Sequence, residues 1–255
     1  MPNKIEVKSV SMFFKTLKGG EVHALNNVTF NIKEGEFVSI VGPSGCGKST
    51  LLRIIAGLIK PSSGEVIING MKITEPSSNI GFVFQHPVLM PWKKVRENIL
   101  FPVKLMKGNV SDAKVNTLIS KLGLDGFENA YPFELSGGMQ ARVAIGRALV
   151  YNPEILLMDE PFGSLDALTR ENLCLELLKI WDDYKQTVIF VTHDISEAVY
   201  LADKVVVMSP RPGTVKEIFN VELERPRDLS TRGKYEFVRL CQLIREELFK
   251  SSQSF

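Results

Sequence analysis

The sequence predicts an α/β protein with a buried parallel sheet, an antiparallel β subdomain and an inserted α-helical subdomain. Three observations carry this. The apolar runs Phe37–Val41, residues 155–158 and Thr187–Val191 are continuous rather than alternating, as in strands buried on both faces. Helical patterns separate the later strands, which implies parallel βαβ units. Over residues 95–148 the strand pattern gives way to helical spacing.

Taken in order, residues 28–32 alternate, and Glu34-Gly35-Glu36 turns the chain into the apolar run Phe37–Val41. Residues 65–68 alternate weakly and meet Asn69-Gly70, a strong hairpin signal. This first third reads as an antiparallel sheet leaned against a buried parallel strand. In the insertion, residues 110–122 have helical spacing with Ser111 as N-cap, and a second helix begins near Ser136 and runs through Leu149. From Pro153 the pattern is strand (155–158), amphipathic helix (168–184), strand (187–191), short helix (196–202) and strand Lys204–Met208. The tail from Arg225 is charged, then helical over residues 235–249.

The bulk properties bound the function. The chain has 255 residues, 44% of them hydrophobic, enough for one large domain with an insertion. A formal net charge of +2 argues against a strong electrostatic footprint for nucleic acid. No apolar run is long enough to cross a bilayer, and the start MPNKIEVKSV lacks the apolar core of a signal peptide. A cytoplasmic chain is therefore expected. The three cysteines, Cys46, Cys174 and Cys241, are odd in number and widely spaced, which suggests reduced thiols rather than disulfides or a metal knuckle.

Gly42-Pro43-Ser44-Gly45-Cys46-Gly47-Lys48-Ser49 fits G-x-x-x-x-G-K-[ST], with Thr50 following. A buried strand precedes it and a helical pattern follows. Glycines let backbone N–H groups turn inward around phosphate oxygens, and the helix N-terminus adds a dipole favourable to anions. Lys48 supplies a point charge for the β and γ phosphates, and Ser49 a hydroxyl for Mg²⁺. The four fixed positions match by chance in roughly one chain of this length in a hundred, and the strand–loop–helix context makes coincidence rarer still.

The strand at residues 155–158 ends in Asp159-Glu160. Carboxylates at the C-terminal end of a parallel strand sit where ligands bind in α/β sheets. Asp159 suits Mg²⁺ held through water, and Glu160 suits polarising an attacking water. A solvated acidic pair is the plain alternative, and the phosphate loop weighs against it. The strand Thr187–Val191 ends in Thr192-His193-Asp194, which places His193 near the γ-phosphate by the same geometry. His23 and His86 read as structural. Gln85 closes the run Ile80-Gly81-Phe82-Val83-Phe84, where its amide could reach both metal and water.

Leu135-Ser136-Gly137-Gly138-Met139-Gln140 is the most specific feature. On its own it is a capped helix start with two small residues, a second anion site. The order phosphate loop, Gln85, Ser-Gly-Gly, acids, His193 closely resembles the ATP-binding-cassette ATPase family, over about Lys4 to Met208. The resemblance implies a P-loop NTPase (RecA-like) core. It places the ATPase domain at residues 4–230, with core and β subdomain at 1–90 and 153–224, helical signature subdomain at 91–152, and a charged, helical tail at 225–255.

The resemblance further implies ATP and Mg²⁺ as ligands, with Ser49, Gln85 and Asp159 on the metal. Two copies pair head to tail, each ATP held between the phosphate loop of one and Ser136, Gly137, Gly138 and Gln140 of the other. Ser164-Leu165-Asp166 matches the loop that crosses this interface. Glu160 matches the catalytic base and His193 the switch histidine, with Gln85 and Lys48 completing the hydrolytic set. Phe14 stands where the family stacks an aromatic ring on adenine, with Phe13 as a neighbouring competitor.

With no membrane-crossing run, the chain resembles the separate ATPase subunit of a multi-subunit transporter, a translocase peripheral to the cytoplasmic face of the membrane. Pro91-Trp92 and Met208-Ser209-Pro210-Arg211-Pro212-Gly213 resemble the nitrate/sulfonate/taurine importer branch. Membrane permease subunits would then dock from Phe84 to Asn98, with an extracytoplasmic solute-binding protein acting indirectly. The alternatives are a soluble cassette ATPase acting on ribosomes or DNA, which usually carries tandem cassettes or coiled-coil insertions, and an export subunit.

Overall fold

A computed structural model describes residues 3–16 and 19–252. Its elements, in chain order, begin with strands β1 (Asn3–Lys15), β2 (Glu21–Lys33) and β3 (Phe37–Val41), helix α1 (Lys48–Ile55) and strands β4 (Ser63–Ile68), β5 (Met71–Lys72) and β6 (Ile80–Val83). Helices α2 (Val95–Leu105), α3 (Asp112–Lys121) and α4 (Gly137–Leu149) follow. Then come β7 (Ile155–Asp159), α5 (Ala167–Tyr184), β8 (Thr187–Val191), α6 (Ile195–Leu201), β9 (Lys204–Met208), β10 (Val215–Asn220) and α7 (Tyr235–Ser252). The chain forms two compact units, Met1–Ser77 with Lys185–Phe255, and Ser78–Tyr184.

The first unit holds two sheets. In one, β1 pairs antiparallel with both β2 and β4, and β4 with β5. The β4–β5 turn is Asn69-Gly70, with φ of 52° and 75°, the left-handed pair that a tight hairpin needs. In the other, β3 lies parallel between β8 and β9, and β10 adds antiparallel to β9. Every residue of β3 and β8 is buried, which explains their unbroken apolar sequence. Asp203 fixes one end of this sheet: it accepts from the Phe37 N–H at 2.9 Å and from Arg225 Nη2 at 2.7 Å.

Arg227, in the segment expected as a charged tail, is 6% exposed. It donates to the carbonyls of Tyr200 and Ala202 at 2.8 Å each, and to those of Val199 and Leu223 at 3.3 and 3.2 Å. The carbonyls of Val199, Tyr200 and Ala202 are ones that the end of α6 leaves without helical donors, so a buried guanidinium caps that helix.

In the second unit, β6 pairs parallel with β7. Ser111 and Ser136 cap α3 and α4, each hydroxyl accepting a backbone N–H three residues on, at 3.4 and 3.3 Å. Pro102 lies inside α2, and the helix continues through it. Asn98 of α2 is fully buried and fastens the preceding loop, accepting from the Met90 N–H at 2.8 Å and donating to the Lys93 carbonyl at 2.8 Å.

Candidate active site

The predicted residues divide between the units. Phe14, the loop from Gly42 to Thr50 and His193 lie in the first, and Gln85, Ser136, Gly137, Gly138, Gln140, Asp159, Glu160 and Asp166 in the second.

In the first unit the phosphate loop leaves β3 and enters α1, as the sequence predicts. Gly47 stands at φ +104°, and a Cβ there would come within 2.6 Å of the Leu25 side chain, so only glycine fits. Lys48 is 5% exposed, and its ammonium donates to the carbonyls of Gly42 at 2.8 Å and Pro43 at 3.1 Å. The charge is thus folded back over the loop's own backbone. Gly213, which sequence reasoning treated only as part of a short string, underlies the loop. Its N–H donates to the Ala24 carbonyl and its carbonyl accepts from Asn26 N–H, both at 2.9 Å. A Cβ at this position would overlap the Cys46 carbonyl.

His193 follows β8 and is exposed. Its neighbours are tightly fixed. Thr192 donates its hydroxyl to Glu197 at 2.6 Å, and Asp194 caps α6 by accepting the N–H groups of Ser196 at 2.7 Å and Glu197 at 3.1 Å. His193 lines one cavity with Gly42, Pro43 and Ser44. Phe14 is 37% exposed, while Phe13 stacks on His23 with centroids 4.0 Å apart.

In the second unit Asp159 ends β7 and is 2% exposed. Glu160 follows at φ +44°, a left-handed backbone that strains a non-glycine residue. Gln85 Nε2 donates to Glu160 Oε2 at 3.4 Å. The sequence-predicted amide and carboxylate are therefore brought together.

The Ser-Gly-Gly segment owes its small residues to a neighbour. A Cβ on Gly138 would stand 2.8 Å from the Thr169 methyl, and one on Gly137 3.3 Å from Leu165. Gln140 Nε2 donates to the Pro132 carbonyl at 3.0 Å and so fixes the turn that presents Ser136. Asp166 accepts the Thr169 N–H at 3.0 Å, and its hydrogen bonds with Thr169 hold its carboxyl below the usual range.

A further feature of this unit was missed. A cavity of about 390 Å³ is lined by Phe84, Val88, Met90, Phe101, Leu105 and Arg147, among others. Arg147 donates to the Val88 carbonyl at 2.7 Å and the Pro87 carbonyl at 3.1 Å. These bonds hold Val88 at φ +32°, an outlier for a β-branched residue. An arginine at helical spacing in α4 reads from sequence as a solvated charge, and only the fold shows what it grips.

Among the described residues no three His, Cys, Asp or Glu side chains gather into a metal cage. Mg²⁺ bound with a nucleotide needs only one or two protein oxygens beside the phosphates. A hydroxyl at Ser49, an amide at Gln85 and a buried carboxylate at Asp159 are oxygen donors of that hard type. No helix among the described residues is long and apolar enough to cross a membrane.

Comparison with known proteins shows the family. The family model described as ABC transporter matches residues 25–163. The chain is 48% identical over 229 residues to an aliphatic sulfonates import ATP-binding protein of Bacillus thuringiensis subsp. konkukian, covering 90% of each chain. It is 45% identical over 216 residues to a taurine import ATP-binding protein of Pelagibacter ubique, covering 84% of this chain and 82% of that one. A bacterial ABC transporter cassette solved as a dimer is similar at TM-score 0.76 and 38% identity, over 86% of this chain and all of that one.

Proposed function

The chain belongs to the ABC transporter family, and from that premise we propose that it is the ATP-hydrolysing subunit that energises a multi-subunit importer. The solute class is a small anion of the nitrate, sulfonate and taurine type. The observation that carries this is the 48% identity, over 90% of both chains, with an aliphatic sulfonates import ATP-binding protein.

The ATPase domain spans residues 4–230, with core and β subdomain at 1–90 and 153–224, the signature subdomain at 91–152, and a tail at 225–255. Gly42, Pro43, Ser44, Gly45, Cys46, Gly47 and Thr50 bind nucleotide phosphates with Lys48, and Phe14 stacks on the base. Ser49, Gln85 and Asp159 would hold Mg²⁺, which would supply positive charge against the charge that develops on the phosphates. Glu160 accepts a proton from the attacking water, Gln85 orients it, and His193 contacts the γ-phosphate. The positive φ of Glu160 supports the assignment, since backbone strain gathers at catalytic positions.

Two copies close around two ATP molecules. Ser136, Gly137, Gly138, Gln140 and Asp166 of each complete the site of the other. The similarity to a cassette solved as a dimer supports this pairing. Integral membrane permease subunits dock from Phe84 to Asn98 at the cytoplasmic face, and an extracytoplasmic solute-binding protein delivers the solute. The cavity beside Arg147 and the 72% exposed Trp92 give that surface an apolar anchor for a permease segment.

The test is co-expression with the candidate permease subunits in membrane vesicles. Co-purification, and ATP turnover stimulated by a sulfonate and its binding protein, are expected. Recovery with ribosomes or DNA instead overturns the reading.

A further inference from the structure

The cavity that His193 shares with the phosphate loop has a volume of about 380 Å³, and its far wall belongs to the last helix of the chain. Pro43, Ser44 and His193 form one side, and Arg245, Leu248 and Phe249 of α7 the other. The helix is firmly seated here. It packs on α6 and β9, with Ile244 fully buried and Phe237 5% exposed. Arg232, just before it, donates to Ser196 Oγ at 3.1 Å and lies 4.7 Å over the Tyr200 ring.

Despite that seating, the end of α7 keeps an apolar side chain in water. Phe249 is 63% exposed and Arg245 is exposed beside it. Arginine and aromatic residues around a concavity are the composition that marks the centre of a protein interface. In the head-to-tail dimer proposed above, the phosphate-loop wall of this cavity faces the second copy, and the exposed face of α7 would continue that surface.

We infer that Arg245, Leu248 and Phe249 form an interaction surface for a second copy of this chain, buried when the dimer closes on ATP. The inference rests on the dimer reading above. In it, α7 adds contacts to the closed state alone, and so biases the chain toward closure without touching nucleotide.

The test uses full-length protein carrying Glu160→Gln, with ATP and Mg²⁺, and reads the dimer dissociation constant by analytical ultracentrifugation. Arg245→Glu and Phe249→Ser should each weaken the dimer by about tenfold or more, with the ATP affinity of the monomer, read at protein concentrations well below the dimer constant, unchanged. Both side chains are exposed, so neither change empties the core, and thermal melting checks this. Arg239→Glu makes the same charge change on the same helix, in a separate cavity with Asn220 and Glu222, and should leave the constant unchanged. Dimers as tight as the parent in both α7 variants, or equal weakening by Arg239→Glu, overturn the inference. A parent that stays monomeric with ATP overturns the dimer reading itself.

Discussion

Gln85 and Glu160, separated by 75 residues, meet through a hydrogen bond of 3.4 Å from the Gln85 amide to the Glu160 carboxylate. The amide holds the carboxylate in place, and the carboxylate alone can take a proton. Glu160→Gln keeps length and removes that capacity. ATP turnover should fall by about 10²–10⁴-fold, the usual contribution of a general base, while nucleotide binding persists and a closed dimer accumulates. Phosphate release and gel filtration with ATP check this, and near wild-type turnover would refute the assignment.

Lys48 donates to two loop carbonyls and is 5% exposed. Lys48→Ala removes both the phosphate's cation and the loop's internal tie. Nucleotide affinity should drop below detection in a fluorescence titration. Stability should fall too, by about 1–3 kcal/mol for the lost carbonyl partners, as urea denaturation would measure. Unchanged ATP binding sinks the phosphate-loop assignment.

Gly213 has no room for a methyl group because the Cys46 carbonyl occupies that space. Gly213→Ala must push the loop outward or pull β9 and β10 apart. The expected result is a raised KM for ATP and a loss of about 1–3 kcal/mol in stability, as for other overpacked positions. Steady-state kinetics with a denaturation curve test both.

Arg147 holds the carbonyls of Pro87 and Val88 and keeps Val88 at positive φ. Arg147→Ala should let that loop relax, leaving basal ATP turnover of the isolated subunit close to normal. Binding to the permease subunits, measured by pull-down from detergent, should weaken markedly.

Cys241 is half-buried, and burial pushes its thiol from 9.0 up to about 11. The charged form is the one disfavoured, so the thiol stays protonated through neutral pH. Its thiolate fraction at pH 8 falls about 100-fold below that of an unperturbed thiol. Native protein should therefore alkylate slowly at pH 8, and denatured protein fast. The folded-state value lies above the unfolded one, so this group's stabilising contribution is complete below pH 9 and declines as pH rises toward 11.

The parallel strands were legible because burial on both faces leaves an unbroken apolar run, and the capped helices because Ser111 and Ser136 announce them. Strand β1 was not, since its register shifts at several points and Ser9 stands at φ 50°, which blurs the alternation. Helix α2 hid behind Pro102, whose missing N–H and ring the fold tolerates. Sequence reasoning singled out Gln85 and Glu160 separately, but not Gly213 or Arg147. Those two act through close approach and backbone contacts, which leave no periodicity to read. Arg227 misled in the opposite direction: composition assigned it to a charged tail, while its four carbonyl partners make it part of the core.

Glu160 adopts a main-chain angle that a residue with a side chain ordinarily avoids. Strain of this kind costs about 1–3 kcal/mol, a large part of the margin by which a domain stays folded. The aim of the carboxylate is therefore set by the backbone itself. At this one angle the robustness of the fold and the readiness of the site are opposed.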